Sequence, residues 1–126
     1  MATILVADDA AFMRALLRDI LTRGGHTVLS EATNGIETLE KFKTYRPDLV
    51  MLDINMPDMN GLEALERLFR INAKAKVIMC SAIGHRETIL KSVHRGAKDY
   101  ILKPFHENRV IEAVHRVLQA DTFIAK

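Results

Sequence analysis

The run Leu49-Val50-Met51-Leu52-Asp53 places four apolar residues directly before one carboxylate. Turn signals bound it, Pro47-Asp48 in front and Asn55-Met56-Pro57-Asp58 behind. A short continuous apolar run between such signals fits a strand covered on both faces, which is the environment of a parallel sheet with helices on either side. Asp53 then sits where a central strand leaves the core, and in open α/β sheets that edge is where ligands bind. An acid there is either a turn residue or a chemical group, and the rest of the chain decides which.

The remaining segments follow the same plan. Thr3 to Ala7 reads as a first buried strand ending at Asp8-Asp9. A helix follows, with Phe12, Leu16 and Ile20 at a spacing of four, Leu17 and Leu21 beside them, and a stop at Gly24-Gly25. Thr27 to Ala32 alternates and reads as an edge strand, Asn34-Gly35 as a turn, and Ile36, Leu39 and Phe42 as the stripe of a second helix closed by Tyr45-Arg46-Pro47. After the third strand and the loop Met56 to Gly61, the residues Leu62, Leu65, Leu68 and Phe69 mark a third helix. Lys76 to Cys80 is a fourth strand ending at Ser81. Arg86 to Arg95 is a fourth helix, with Ile89, Leu90 and Val93 expected inward and Gly96 as its cap. Asp99 to Leu102 is a short fifth strand ending at Lys103-Pro104. Val110, Ile111, Val114, Val117 and Leu118 mark a fifth helix, after which a short tail is expected. Strand and helix alternate five times, which predicts an α/β, doubly wound, five-stranded parallel sheet with five helices.

The bulk properties narrow the field. A length of 126 residues predicts one domain over 1–126, and 48% hydrophobic residues suffice for a core. Eighteen basic residues against 16 acidic ones leave a net charge of +2, too balanced to argue for nucleic acid as a partner. The single cysteine, Cys80, rules out a disulfide framework and reads as a small core residue. No apolar run approaches the ~20 residues of a membrane span. Met1-Ala2-Thr3-Ile4 lacks the charged start of a signal peptide, so a cytoplasmic location is expected.

The strand ends carry the chemistry. Strand one presents Asp8 and Asp9, strand three Asp53, strand four Ser81 and strand five Lys103. In a parallel sheet these ends share one rim. Singly, each residue reads as an ordinary strand terminus; together they are three carboxylates, a hydroxyl and an ammonium. Clustered carboxylates repel, and one would keep its proton unless a cation joins them. Mg²⁺ suits oxygen ligands and favours one or two carboxylates plus a phosphate, so the cluster predicts Mg²⁺ with a phosphoryl group as the remaining ligand. Lys103 and Ser81 would then neutralise and hydrogen-bond phosphoryl oxygens, and Asp53, between the Asp8–Asp9 side and the Lys103 side, would be the nucleophile.

Asp8-Asp9, Asp53 with Met56-Pro57-Asp58-Met59-Asn60-Gly61, Ser81-Ala82 and Lys103-Pro104-Phe105, in that order, resemble the receiver domain of bacterial response regulators. The likeness spans about residues 3 to 119, and Asp8-Asp9-Ala10-Ala11-Phe12-Met13-Arg14 is similar to stand-alone chemotaxis regulators in particular. The resemblance implies the flavodoxin-like strand order 2-1-3-4-5, for which such a chemotaxis receiver is a standard example. It implies Asp53 as acceptor of phosphate from a histidine kinase. Asp9, Asp53 and the Asn55 backbone carbonyl would ligate Mg²⁺, and Asp8 would act through the metal's water shell. Ser81 and Tyr100 would be switch residues, Lys103 the phosphate's partner, and Lys103–Pro104 a cis bond. Asn55 could orient an attacking water and Ile83 should exclude one, which implies a long-lived phosphate and a partner phosphatase.

Simpler readings stand beside these. Tyr100 also fits plain packing, the histidines His26, His85, His94, His106 and His115 read as surface, and Lys91, His94, Arg95 and Lys98 form either a solvated run or a surface for an acidic partner. No output domain is expected after the fifth helix, so a signal would be expected to leave through protein binding. The expected partners are a chemotaxis-type histidine kinase, docking on helix one, a flagellar motor switch protein and a phosphatase. The chain is expected to be a monomer that contacts neither membrane nor nucleic acid, and a phosphoacceptor rather than an enzyme. Alternatives are the receiver of a longer regulator, a stand-alone phosphorelay carrier, and a small Mg²⁺-dependent aspartyl-phosphate phosphatase, for which no general acid is evident. A flavodoxin would need phosphate-binding hydroxyls and glycines where this chain puts two acids.

Overall fold

The computed structural model describes residues 1–82 and 86–124, those from 120 onward by backbone alone. Ile83 and His85, named above, lie outside the described residues. Five strands, β1 (Thr3–Ala7), β2 (Thr27–Ala32), β3 (Leu49–Asp53), β4 (Val77–Ala82) and β5 (Asp99–Lys103), alternate with five helices. These are α1 (Ala11–Arg23), α2 (Gly35–Tyr45), α3 (Gly61–Ile71), α4 (Arg86–His94) and α5 (Glu107–Ile124). Every strand pair is parallel and the order is β2-β1-β3-β4-β5, as expected.

β3 is central because both of its faces are apolar. Successive side chains of a strand point to opposite faces, and here each face meets its own core. Ile4, Val6, Leu49, Met51, Ile78 and Cys80 pack with Leu17, Ile20 and Leu21 of α1 and with Val110, Val114 and Val117 of α5. Leu5, Ala7, Val50, Leu52, Val77 and Met79 pack with Phe42 of α2, Leu65 and Leu68 of α3 and Ile89 of α4. Each fully buried Leu or Ile contributes roughly 1.5–3 kcal/mol, so the two layers together hold the sheet between the helices.

The helix faces are narrower than the sequence pattern implied. Phe12 is 73% exposed, and Ile36 is exposed as well. In α4 the inward residues are Ile89 and Ser92, while Leu90 (54%) and Val93 (45%) face solvent. The cause is Ser92: a small side chain lets the helix lie close to the sheet, and its hydroxyl is satisfied by donating to the Ile89 carbonyl at 2.7 Å. Burial of positions 89 and 92 turns 90 and 93 outward, one step around the helix. Ser81 lies inside β4 rather than beyond it, because the ladder to β5 continues through Ser81↔Leu102 and Ala82↔Lys103. α5 continues to Ile124, so the expected tail begins later. His26 is half-buried, not superficial: its Nδ1 accepts the Ala2 N–H at 3.1 Å. Burial, then the charges of the N-terminus and His115, lower its pKa.

Asn34-Gly35 is a helix cap and not a free turn. Asn34 Oδ1 accepts the Glu37 N–H at 2.8 Å, and Asn60 Oδ1 accepts the Glu63 N–H at 2.9 Å. Both helices therefore start with Asn-Gly-x-Glu, the Asn satisfying an orphan donor and the Glu sitting where the helix dipole favours it.

Two truncations separate the buried layers from the exposed α4 face. Leu52→Ala should lose about 2–5 kcal/mol in urea unfolding, because a fully buried side chain leaves a cavity. Leu90→Ala should lose less than about 0.5 kcal/mol; a core-sized loss would place Leu90 inside.

Candidate functional site

The register of the strands builds the site. Asp53 closes β3 opposite Cys80, which is in turn opposite Ile101; Ser81 and Lys103 lie one and two residues further along β4 and β5. Asp8 follows β1 directly, its N–H still donating to Ala32 O at 3.0 Å. Among the described residues, Asp8, Asp9 and Asp53 each offer a carboxylate oxygen, and these oxygens lie within 4.8 Å of one another. Asp8 and Asp53 are buried and Asp9 is exposed, so the cluster opens to solvent on the Asp9 side.

Lys103 does not stand apart from the Asp8–Asp9 side, as the sequence suggested. Its Nζ lies 2.7 Å from Asp8 Oδ2 and 3.3 Å from Asp53 Oδ1, bridging the two buried acids. Burial alone would lower its pKa, but contact with Asp8 and the charge of Asp53 raise it. One ammonium is not enough for three carboxylates. Burial first, then the Asp8 charge, push the Asp53 carboxyl up to about 6 despite Lys103. Asp8 Oδ2, though close to Lys103, is a buried oxygen that accepts no hydrogen bond of ordinary geometry. Three clustered carboxylate oxygens that share a single ammonium are what a hard cation relieves, so these residues fit Mg²⁺.

The neighbouring contacts fix the acids. Asp8 Oδ1 accepts the Ala10 N–H at 2.9 Å, and Arg14 Nη1 donates to the Asp8 carbonyl at 2.8 Å. Arg14 is itself held by Glu31, which also pairs with Arg18. Gly61 is required behind Asp53: a Cβ there would fall 2.1 Å from the Asp53 carbonyl oxygen. Ser81 is buried, and its hydroxyl donates to the Ala82 carbonyl at 3.0 Å. Asn55 is exposed on the loop after β3. Lys103–Pro104 is cis, as the resemblance implied. Cys80, buried behind Asp53, has its thiol pKa pushed up by burial and is a core residue.

Tyr100 is not in the cluster. It lies on the outer strand β5, 39% exposed, on the same strand face as the exposed Leu102. Asp99 Oδ1 accepts its N–H at 2.8 Å and Arg109 donates to its carbonyl at 2.7 Å, which occupies the backbone of an edge strand. The sequence reading missed this Asp99–Arg109–Arg116 network, although Arg109 and Arg116 recur at helical spacing opposite the acid that opens β5.

The sequence matches the response regulator receiver domain over residues 4–115. The chain belongs to that family. Among its relatives, the chemotaxis protein CheY of Thermotoga maritima is 48% identical over 114 residues, 90% of this chain and 95% of its own. CheY of Bacillus subtilis is 48% identical over 115 residues, 91% and 96% of the two chains. In the crystal structure of the CheX–CheY–BeF3–Mg²⁺ complex from Borrelia burgdorferi, one chain matches with a TM-score of 0.88 at 33% identity, over 91% of this chain and 87% of that one. A response regulator receiver domain protein from Clostridium thermocellum matches with a TM-score of 0.91 at 25% identity, over 98% and 99%. Among the described residues, no helix is long and apolar enough to cross a membrane.

The raised Asp53 pKa makes stability depend on pH. Between the ordinary carboxyl value of 3.8 and about 6, the folded protein binds a proton that the unfolded chain releases, so metal-free stability falls as pH rises through this window. Asp53→Asn should therefore stabilise the metal-free protein at pH 7.5 by about 1–3 kcal/mol, and this gain should vanish below pH ~4. Urea unfolding across pH checks it; a gain independent of pH would remove the carboxyl as its source.

Proposed function

We propose that this receiver takes a phosphoryl group on Asp53 from a histidine kinase in a Mg²⁺-dependent reaction, and signals by phosphorylation-dependent protein binding in chemotaxis. The observation that carries the reading is Asp53 itself: a buried carboxylate at a strand end, clustered with Asp8 and Asp9 and within reach of the Lys103 ammonium that also contacts Asp8. Asp9, Asp53 and the backbone carbonyl of Asn55 would hold the ion, with Asp8 behind them. Bound there, Mg²⁺ would neutralise charge on the transferring group and on the carboxylates. The Asp53 carboxylate attacks phosphorus, the new O–P bond forms as the N–P bond of the donor's phosphohistidine breaks, and the leaving imidazole takes up a proton. Lys103 then meets a phosphoryl oxygen in place of its present carboxylate contacts, and Ser81 donates to another.

The output surface in this reading is the α4–β5 face, where Leu90, Val93, Tyr100 and Leu102 are exposed together. Lys91 and Lys98 add positive charge on α4 and before β5, alongside Arg95, which pairs with Glu66 at 3.2 Å. A flagellar motor switch protein and a phosphatase are the expected clients, and α1 with its exposed Phe12 is the expected dock for the kinase. The high identity to chemotaxis proteins over most of both chains supports this assignment, and the Borrelia neighbour was crystallised with a partner protein, CheX, in the presence of BeF3 and Mg²⁺. Residues 1–126 act as one receiver unit, monomeric and cytoplasmic, a phosphoacceptor and not an enzyme acting on other molecules.

Acetyl phosphate with Mg²⁺ should add one phosphoryl group to the wild-type protein, read by intact-protein mass spectrometry. Chelation of Mg²⁺ or Asp53→Asn should abolish the addition. Labelling that survives Asp53→Asn would move the acceptor elsewhere and sink the assignment.

A further inference from the structure

Both glycines of the two Asn-Gly caps press against the loop that leaves Asp53. Gly61, the first residue of α3, backs the Asp53 carbonyl, and its N–H donates to Ile54 O at 2.8 Å, closing the loop on itself. Gly35, the first residue of α2, reaches the same loop from outside: its N–H donates to Met59 O at 2.9 Å. A Cβ on Gly35 would stand 2.5 Å from that oxygen and 2.7 Å from the Met59 side chain, so only glycine permits the approach. Asn34 adds a second link, its Nδ2 lying 3.4 Å from Asp58 Oδ2. Asp58 holds the left-handed conformation, φ 66°, that turns the loop back toward α2. Residues 55–58 thus hang between two anchors, one on α3 and one on α2.

We propose that the Asn34-Gly35 cap is a positioning element for the metal-binding loop: α2 braces the segment that carries Asn55, and so sets Mg²⁺ affinity without touching the ion. The inference rests on the proposed role of the Asn55 carbonyl in holding Mg²⁺. Groups that orient metal ligands from behind commonly matter at the level of ten- to a hundredfold in affinity. The brace also explains why a glycine sits inside the first turn of α2, where it weakens helix propensity. Alanine would favour the helix, so any loss at this position comes from the contact with Met59. The neighbouring acid joins in: Thr33 N–H donates to Glu37 Oε1 at 2.7 Å, tying the residue before the cap to the first turn. The brace therefore starts from a fixed helix end.

The test titrates Mg²⁺ into wild type, Gly35→Ala, Asn34→Ser and Gly25→Ala, following the Asp9, Asp53 and Asn55 amides by NMR. Amide exchange at Ile54, Gly61 and Gly35 is measured on the metal-free proteins. Gly35→Ala should weaken Mg²⁺ binding by on the order of tenfold and speed exchange at Gly35. Asn34→Ser keeps a capping oxygen while removing the link to Asp58, and should weaken binding less, in the same direction. Gly25→Ala is the stability control: Gly25 has φ 89° with nothing near its Cβ position, so alanine there strains the backbone away from the site. It should lower the melting temperature and leave Mg²⁺ affinity unchanged. Equal affinity in wild type and Gly35→Ala would overturn the brace, as would a loss in Gly25→Ala matching that in Gly35→Ala. No Mg²⁺ binding by wild type would instead overturn the phosphoacceptor reading on which the brace rests.

Discussion

Like charge forced together at the rim of a sheet is the constraint on which the rest depends. A parallel sheet brings all its strand ends to one edge, and three of the groups there are carboxylates within 4.8 Å of one another. Burial makes their repulsion stronger, because little water remains to screen it. Lys103 answers part of the problem by bridging Asp8 and Asp53, but one ammonium is shared between two buried acids and Asp53 is still held near a pKa of about 6. The fold thus stabilises a site that is electrostatically incomplete by itself. The incompleteness is a surplus of negative charge on clustered carboxylate oxygens, the ligand set that a hard divalent cation takes.

Such a site holds its shape only if the backbone behind it does. The two cores above and below the sheet fix the strands, but the acids lie at the strand ends, Asp53 closing β3 and Asp8 following β1, where the ladder gives out. Local contacts take over there. Ala10 N–H and Arg14 hold Asp8, Gly61 backs Asp53, and Gly35 and Asn34 hold the loop that follows it. The pattern is one of close backbone approach, which glycine allows and any side chain prevents. Helix starts are well suited to this work, because a capped first turn is a rigid object with free N–H groups pointing outward.

The fold was legible because the hydrophobic pattern is consistent at every level. β3 reads as buried from five residues, and each apolar run that resembles it became a strand at or within two residues of the expected boundary. The residues of the acidic site were legible too, since strand ends in a parallel sheet must meet. Less legible was anything that depends on rotation about a helix axis. Phe12, Ile36, Leu90 and Val93 look like core residues by type, yet face solvent because Met13, Thr38, Ile89 and Ser92 take the inward positions. A buried Ser or Thr is invisible to a count of apolar residues when its hydroxyl bonds back to its own helix, as both Thr38 and Ser92 do. The two caps could have been found: Asn-Gly-Ile-Glu and Asn-Gly-Leu-Glu are the same signal written twice.

The position of Lys103 joins the charged rim to the exposed α4–β5 face. It closes β5, three residues after Tyr100, and β5 pairs along one side only, with β4. On its open side, Asp99 and Arg109 occupy the backbone of Tyr100 and tie the strand to α5. The Lys103 ammonium contacts both Asp8 and Asp53, so this strand end is tied to the acidic cluster. Ser81 lies opposite Leu102 in the same ladder, its hydroxyl donating to the Ala82 carbonyl. An edge strand tethered by side chains rather than by a second ladder moves at lower cost than a central one. Of the apolar side chains that face solvent, Tyr100 and Leu102 are thus carried by an edge strand, and Leu90 and Val93 by α4, which packs on it.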